Sequence, residues 1–159
     1  MKQSHLDDEI QDRMRPGIIT RDGLLGSDRR KLRDILDADD ADVRRLGLSH
    51  RVIAARMRAL RDAGTAGLGE PITVLDHFEV RVDSVRGVLP CPFPHKDGLC
   101  HKEFITVHNL HSGEQITYTQ MNIHLIEAHG FYEGRGASCR LEPATLARVL
   151  EISPPTPTP

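Results

Sequence analysis

Apolar and polar positions alternate along this chain with two different periods, and the blocks they form outline its elements. Residues 1–15 are polar and hold no sustained period, which reads as a mobile arm. Pro16 and Gly17 punctuate the chain, and residues 17–26 read as a short extended piece with turns. Ser27 ahead of Leu32, Ile35 and Leu36 predicts a capped amphipathic helix to residue 38, followed by a short helix over 40–46 that Gly47 ends. Ser49 holds an N-cap position before a helix over 50–63, and Gly64 stands where such a helix commonly stops.

Past Gly64 the period becomes that of a strand. Over 71–82, Phe78, Val80 and Val82 alternate against His77, Glu79 and Arg81. Residues 103–110 and 115–119 predict two further strands, joined as a hairpin through 111–114. Thr119 caps a helix over 120–129 that Gly130 ends, Pro143 opens a last helix to residue 152, and the proline-rich 154–159 reads as a disordered tail. These elements predict an α+β protein. A helical region over 16–69, in the helix, turn, capped-helix order of a helix-turn-helix, packs on a hairpin-and-helix region over 70–153, with a seam at 64–70.

Composition narrows this picture. Apolar residues make up 38% of the chain, aromatics 4%, and Trp is absent, so the core must be aliphatic. A formal net charge of -2 excludes a whole-surface field for nucleic acid or anionic membrane and leaves only local patches. There is no run of 18 apolar residues, and the first residues lack the apolar stretch of a signal peptide, so a cytoplasmic location is expected. Three cysteines suit no closed disulfide framework, and thiols near histidines in a reducing compartment point to a metal.

The candidate ligands are Cys91 and Cys100, bracketing a loop, and His124 and His129, on the helix after the hairpin. Zinc takes four nitrogen or sulfur ligands in a tetrahedron, which this set supplies. In its ligand order, and in its His-x4-His pair near a helix end, the segment 91–130 resembles the two-Cys two-His zinc fingers. The resemblance implies a structural Zn2+ under a hairpin and helix. The thiols are separated by eight residues and Cys100 from His124 by 23, both longer than in that family, so its DNA-reading positions do not carry over. His95 and His101 lie in or beside the same loop and are alternates to either named cysteine or histidine. His124 and His129 are about 140° apart on an ideal helix, so a shared ion requires the helix end to loosen at Gly130.

Two thiolates and two imidazoles fill a tetrahedron, which makes the expected metal structural. Glu127 lies between the histidines, but in neither metallopeptidase order, and reads as a surface charge. The competing reading is a metal-dependent hydrolase with an open metal position, and a third is a zinc-stabilised protein-interaction adaptor. His108 and His111 read as solvent or hydrogen-bonding residues and Cys139 as a packed thiol.

One basic patch stands out. From Arg44 to Arg61, both included, there are six arginines and no acid. On the helix after Ser49, Arg51, Arg58 and Arg61 fall within about 80° of one another, opposite Ile53, Met57 and Leu60, while Arg56 projects among the apolar positions and must snorkel. The functional expectation is therefore a zinc-binding regulatory or nucleic-acid-associated protein of bacterial type, touching DNA or RNA through Arg51, Arg58 and Arg61. Asp37, Asp39, Asp40 and Asp42 crowd the preceding helix and count against that contact. The glycine-bearing loop from Gly130 to Arg140 reads as a tight helix-ending loop, with an anion nest as the alternative.

Overall fold

The computed structural model describes residues 2–96 and 98–156, so residues 157–159 of the expected tail lie outside the described part. The fold is mixed α+β. Among the described residues, five α-helices surround one four-stranded antiparallel sheet of order β1-β2-β3-β4. None of the helices is long and apolar enough to cross a membrane.

The first fifteen residues correct the expectation of a mobile arm, because they contain helix α1 (His5–Arg13). A capping box starts it: the Ser4 hydroxyl accepts from the Asp7 amide at 3.1 Å, and the Asp7 carboxylate accepts from the Ser4 amide at 2.9 Å. Ile10 and Met14 are buried against Leu32 and Ile35, and Arg33 meets Asp7 at 3.0 Å. Two apolar side chains are too few to show a period, so the polar cap and docking ion pair carry the order instead.

Helix α2 (Leu32–Arg45) runs unbroken through the point where the sequence predicts two short helices. Its Asp39 is buried in a bidentate pair with Arg140, at 2.6 and 2.8 Å, and so is an anchor rather than a surface acid. Helix α3 (His50–Gly64) begins as predicted, with the Ser49 hydroxyl accepting from the Val52 amide. Ile53, Met57 and Leu60 are fully buried, each contributing roughly 1.5–3 kcal/mol by leaving water. Arg56 extends over the Phe78 ring at 5.2 Å and donates to the Leu150 carbonyl, which resolves its placement among apolar neighbours.

The stretch expected as one strand folds back on itself. Leu75 and Asp76 both take the left-handed conformation, at φ 50° and 68°, and turn β1 (Ile72–Val74) into β2 (Phe78–Pro90). Phe78, Val80 and Val82 face the core in register with Asn109, Val107 and Ile105 of β3 (Leu99–Asn109). Helix α3 lies so close above them that a side chain at Gly64 would come within 2.4 Å of Val80. The pairing is interrupted between Ser84 and Val88, and beyond this bulge the hairpin reaches out to Cys91.

β4 (Gln115–Thr119) leads directly into α4 (Gln120–His129), capped reciprocally by Thr119 and Asn122 and ended by Gly130 at φ 62°, as the sequence predicts. Helix α5 (Pro143–Val149) stops short of residue 152. The main core takes Val43 and Met57 from the helical region and Phe78, Tyr118 and Leu146 from the region after it. A second cluster joins Leu32 and Ile35 to Cys100, Leu125 and Phe131. One packed body therefore runs across residues 64–70, where the sequence places a seam.

Candidate metal centre

The β2–β3 turn hangs beside the last turns of α4, and four side chains converge there. One ligand atom each from Cys91, His95, His124 and His129 lies within 4.8 Å of the other three. The Cys91 sulfur is 3.4 Å from His129 Nε2, and His95 Nε2 is 3.0 Å from His124 Nε2. A tetrahedral zinc with ordinary bond lengths sets nitrogen–nitrogen edges of about 3.3 Å and sulfur–nitrogen edges of about 3.6 Å. The observed spacings approach those edges. The three imidazole centroids sit 4.9, 5.1 and 5.3 Å apart, a nearly equilateral arrangement that leaves room for an ion between them.

Local structure explains the convergence. The Cys91 amide donates to the Gly98 carbonyl, closing the loop, and Gly98 packs so tightly that a side chain there would come within 3.2 Å of the His95 ring. Phe93 stacks on His129 at 4.0 Å and fixes that ring, and Gly130 ends α4 just behind it. Burial first, then repulsion from His124 and His95, holds His129 down at about 4. His124 is also lowered, mainly by burial. Both shifts favour the neutral imidazole, the form that ligates a metal. Burial raises the Cys91 thiol, so in the protein alone it stays protonated.

Of the ligands expected from the sequence, the structure brings together Cys91, His124 and His129 and sets Cys100 outside the group. Cys100 is a β3 residue paired with Leu89, 6% exposed and packed with Leu32 and Leu125, and burial pushes its thiol up to about 11. His95, an alternate on spacing, fills the fourth corner, and His101 remains an exposed strand residue whose amide donates to Gln120. The stretch from Cys91 to His95 contains a Cys-x3-His spacing, the signal that favours His95 over Cys100.

The basic face of α3 is largely engaged. Arg58 grips Glu127 with bonds of 2.6 and 3.2 Å, and Arg61 makes a two-pronged pair with the buried Glu103 while also holding Asp62. Arg51 is exposed. Arg58 first of all holds the Glu127 carboxyl below the usual range, which suits a fixed anion and not a general base. The Gly130–Arg140 loop is a helix-ending structure in which Arg140 is held by Asp39, Glu142 and the Glu133 carbonyl. A second group, His77, His111 and Glu151, pins the end of α5: His77 hydrogen-bonds Glu151 at 2.6 Å and stacks on His111 at 3.9 Å.

Comparison with known proteins finds no family model, no curated protein and no solved structure that matches this chain.

Proposed function

We propose that this protein is a zinc-binding regulatory module in which Cys91, His95, His124 and His129 hold one structural ion. The single observation that carries this is the convergence of four ligand atoms within 4.8 Å, drawn from a loop and a helix distant in sequence. When bound, zinc would supply a cross-link between the β2–β3 turn and α4 and keep Cys91 as thiolate. One sulfur and three nitrogens complete a tetrahedron, and Glu127 is tied to Arg58, so the arrangement favours a structural role over hydrolysis. All three cysteines are free thiols, in keeping with a reducing, cytoplasmic setting.

Nucleic acid is the proposed partner of second rank, and exposed Arg51 beside Arg58 is the feature that favours it. Arg58 would have to exchange Glu127 for phosphate, so binding should be weak and strongly salt-dependent. Titration of DNA and RNA at low salt decides this: the proposal requires binding that weakens on Arg51→Ala with Arg58→Ala, and it ends if no binding is found. The metal itself is tested by elemental analysis of purified protein and by thermal melting in chelator. One zinc per chain and a fall in Tm of about 10 °C on its removal are expected, since a contribution of a few kcal/mol shifts a domain of this size by that much. Metal-free protein with an unchanged Tm would refute it.

A further inference from the structure

Away from the metal centre, the loop over residues 19–24 and the sheet enclose a cavity of about 430 Å³. Its size falls among small-molecule sites, which span roughly 300–1,000 Å³. The walls are largely apolar: Leu24 and Met121 lie deep, and Ile19, Leu89, Val85 and Phe104 rise toward the mouth, where the last two are 52% and 43% exposed. Of the three acids in this lining, Asp22, Glu103 and Glu133, the last is the most buried, at 4% exposed. One of its carboxylate oxygens accepts from the Asn122 amide at 2.7 Å.

We infer that this cavity binds a small amphipathic molecule, with its apolar body between Val85, Phe104 and Met121 and a protonated amine against the Glu133 carboxylate. Three features support it. Glu133 holds a left-handed backbone at φ 67°, a strained conformation for a glutamate, and such strain persists where surrounding structure over-determines a position. Burial pushes its carboxyl up to about 7, and a cation bound beside it would favour the ionised form that burial alone disfavours. Thr20, in the same wall, buries a hydroxyl without a partner among the described residues, a group that a bound ligand can satisfy.

Charge at the mouth does not contradict this choice. Arg21 and Lys102 face Asp22 there, and Glu103 is held by Arg61. The nearby Arg140 is held by Asp39, which leaves Glu133 as the buried acid of the lining that a cation can complement. The floor is built by interlocked backbones: Gly134 donates to the Leu24 carbonyl and Ser27 to the Arg135 carbonyl, so the site is pre-formed.

This inference stands apart from the metal proposal, and its test uses the full-length protein in its purified state. Binding of 2-phenylethylamine, 2-phenylethanol and phenylacetate would be followed by NMR shifts of the Met121 methyl group. The amine is expected to saturate, with the alcohol and the acid at least about tenfold weaker, and Glu133→Gln should cut amine affinity about tenfold. Val85→Trp, at the exposed rim, should block all three probes without changing Tm, which covers the case in which Glu133→Gln fails to fold. Failure of the amine to saturate at millimolar concentration, or equal binding of amine and acid, overturns the inference.

Discussion

At the scale of single residues, the two cysteines that look alike in sequence have opposite fates. Cys91 faces His129 across 3.4 Å, whereas Cys100 is a packed strand residue. Cys91→Ser is expected to abolish stoichiometric zinc binding, and Cys100→Ala to retain it while losing roughly 1 kcal/mol of stability from the trimmed core. Metal content of the two purified variants checks this. Asp39 and Arg140, 3% and 8% exposed in their side chains, form a buried pair whose disruption leaves a bare charge. Asp39→Ala should therefore cost about 3–5 kcal/mol in denaturant unfolding.

Glu133 gives a signature in pH. Burial raises its carboxyl to about 7, against the lowering effects of Asn122 and Arg140, while in the unfolded chain it titrates near the ordinary 4.5. The folded state thus holds this proton more tightly. Its contribution, up to about 3 kcal/mol, is complete below the unfolded value and is lost as pH rises through about 7. Groups around it are Asn122 from α4, Cys139 and Arg140 from its own loop, and Lys102 and Glu103 across the cavity. Urea unfolding between pH 5 and 8 should show a downward slope in wild type that Glu133→Gln flattens, and equal slopes would contradict the assignment.

At the scale of elements, glycine sets the closest approaches. A side chain on Gly134 would come within 2.3 Å of the Leu25 carbonyl oxygen, so Gly134→Ala should destabilise by about 1–3 kcal/mol, read by thermal melting. Helices α3 and α4 were legible because each announces itself locally, with a serine or threonine cap and a full apolar stripe. Helix α1 was not, since beyond its Ser4–Asp7 cap it lacks an apolar period and is docked by Asp7 reaching Arg33, a contact no local pattern encodes. Nor was the break between β1 and β2: Leu75 and Asp76 adopt left-handed turn geometry without the glycine or asparagine that normally signals it.

The candidate site shows the same division. Histidine spacing on α4 pointed to His124 and His129, and the loop thiol Cys91 followed from its position in a turn. The choice between Cys100 and His95 depended on where β3 begins. Strand β3 starts at Leu99, so Cys100 enters the sheet ladder opposite Leu89, while His95 stays in the loop that folds back over α4. Strand boundaries are set by tertiary pairing, which spacing alone does not reveal.

At the scale of the whole molecule, the proposed metal centre lies at the end of a hairpin that extends past the bulge. An ion bound there would join that extension to α4, which in turn carries Leu125 and Ile126 into the two buried clusters. Metal loss should therefore loosen the β2–β3 turn first and leave the α3–sheet core intact, a pattern that amide hydrogen exchange with and without chelator resolves. The most direct measurement is X-ray absorption at the zinc edge of the purified protein. One sulfur near 2.3 Å and three nitrogens near about 2.05 Å are expected. Two sulfurs, a water ligand or no bound metal at all would contradict the ligand set Cys91, His95, His124 and His129.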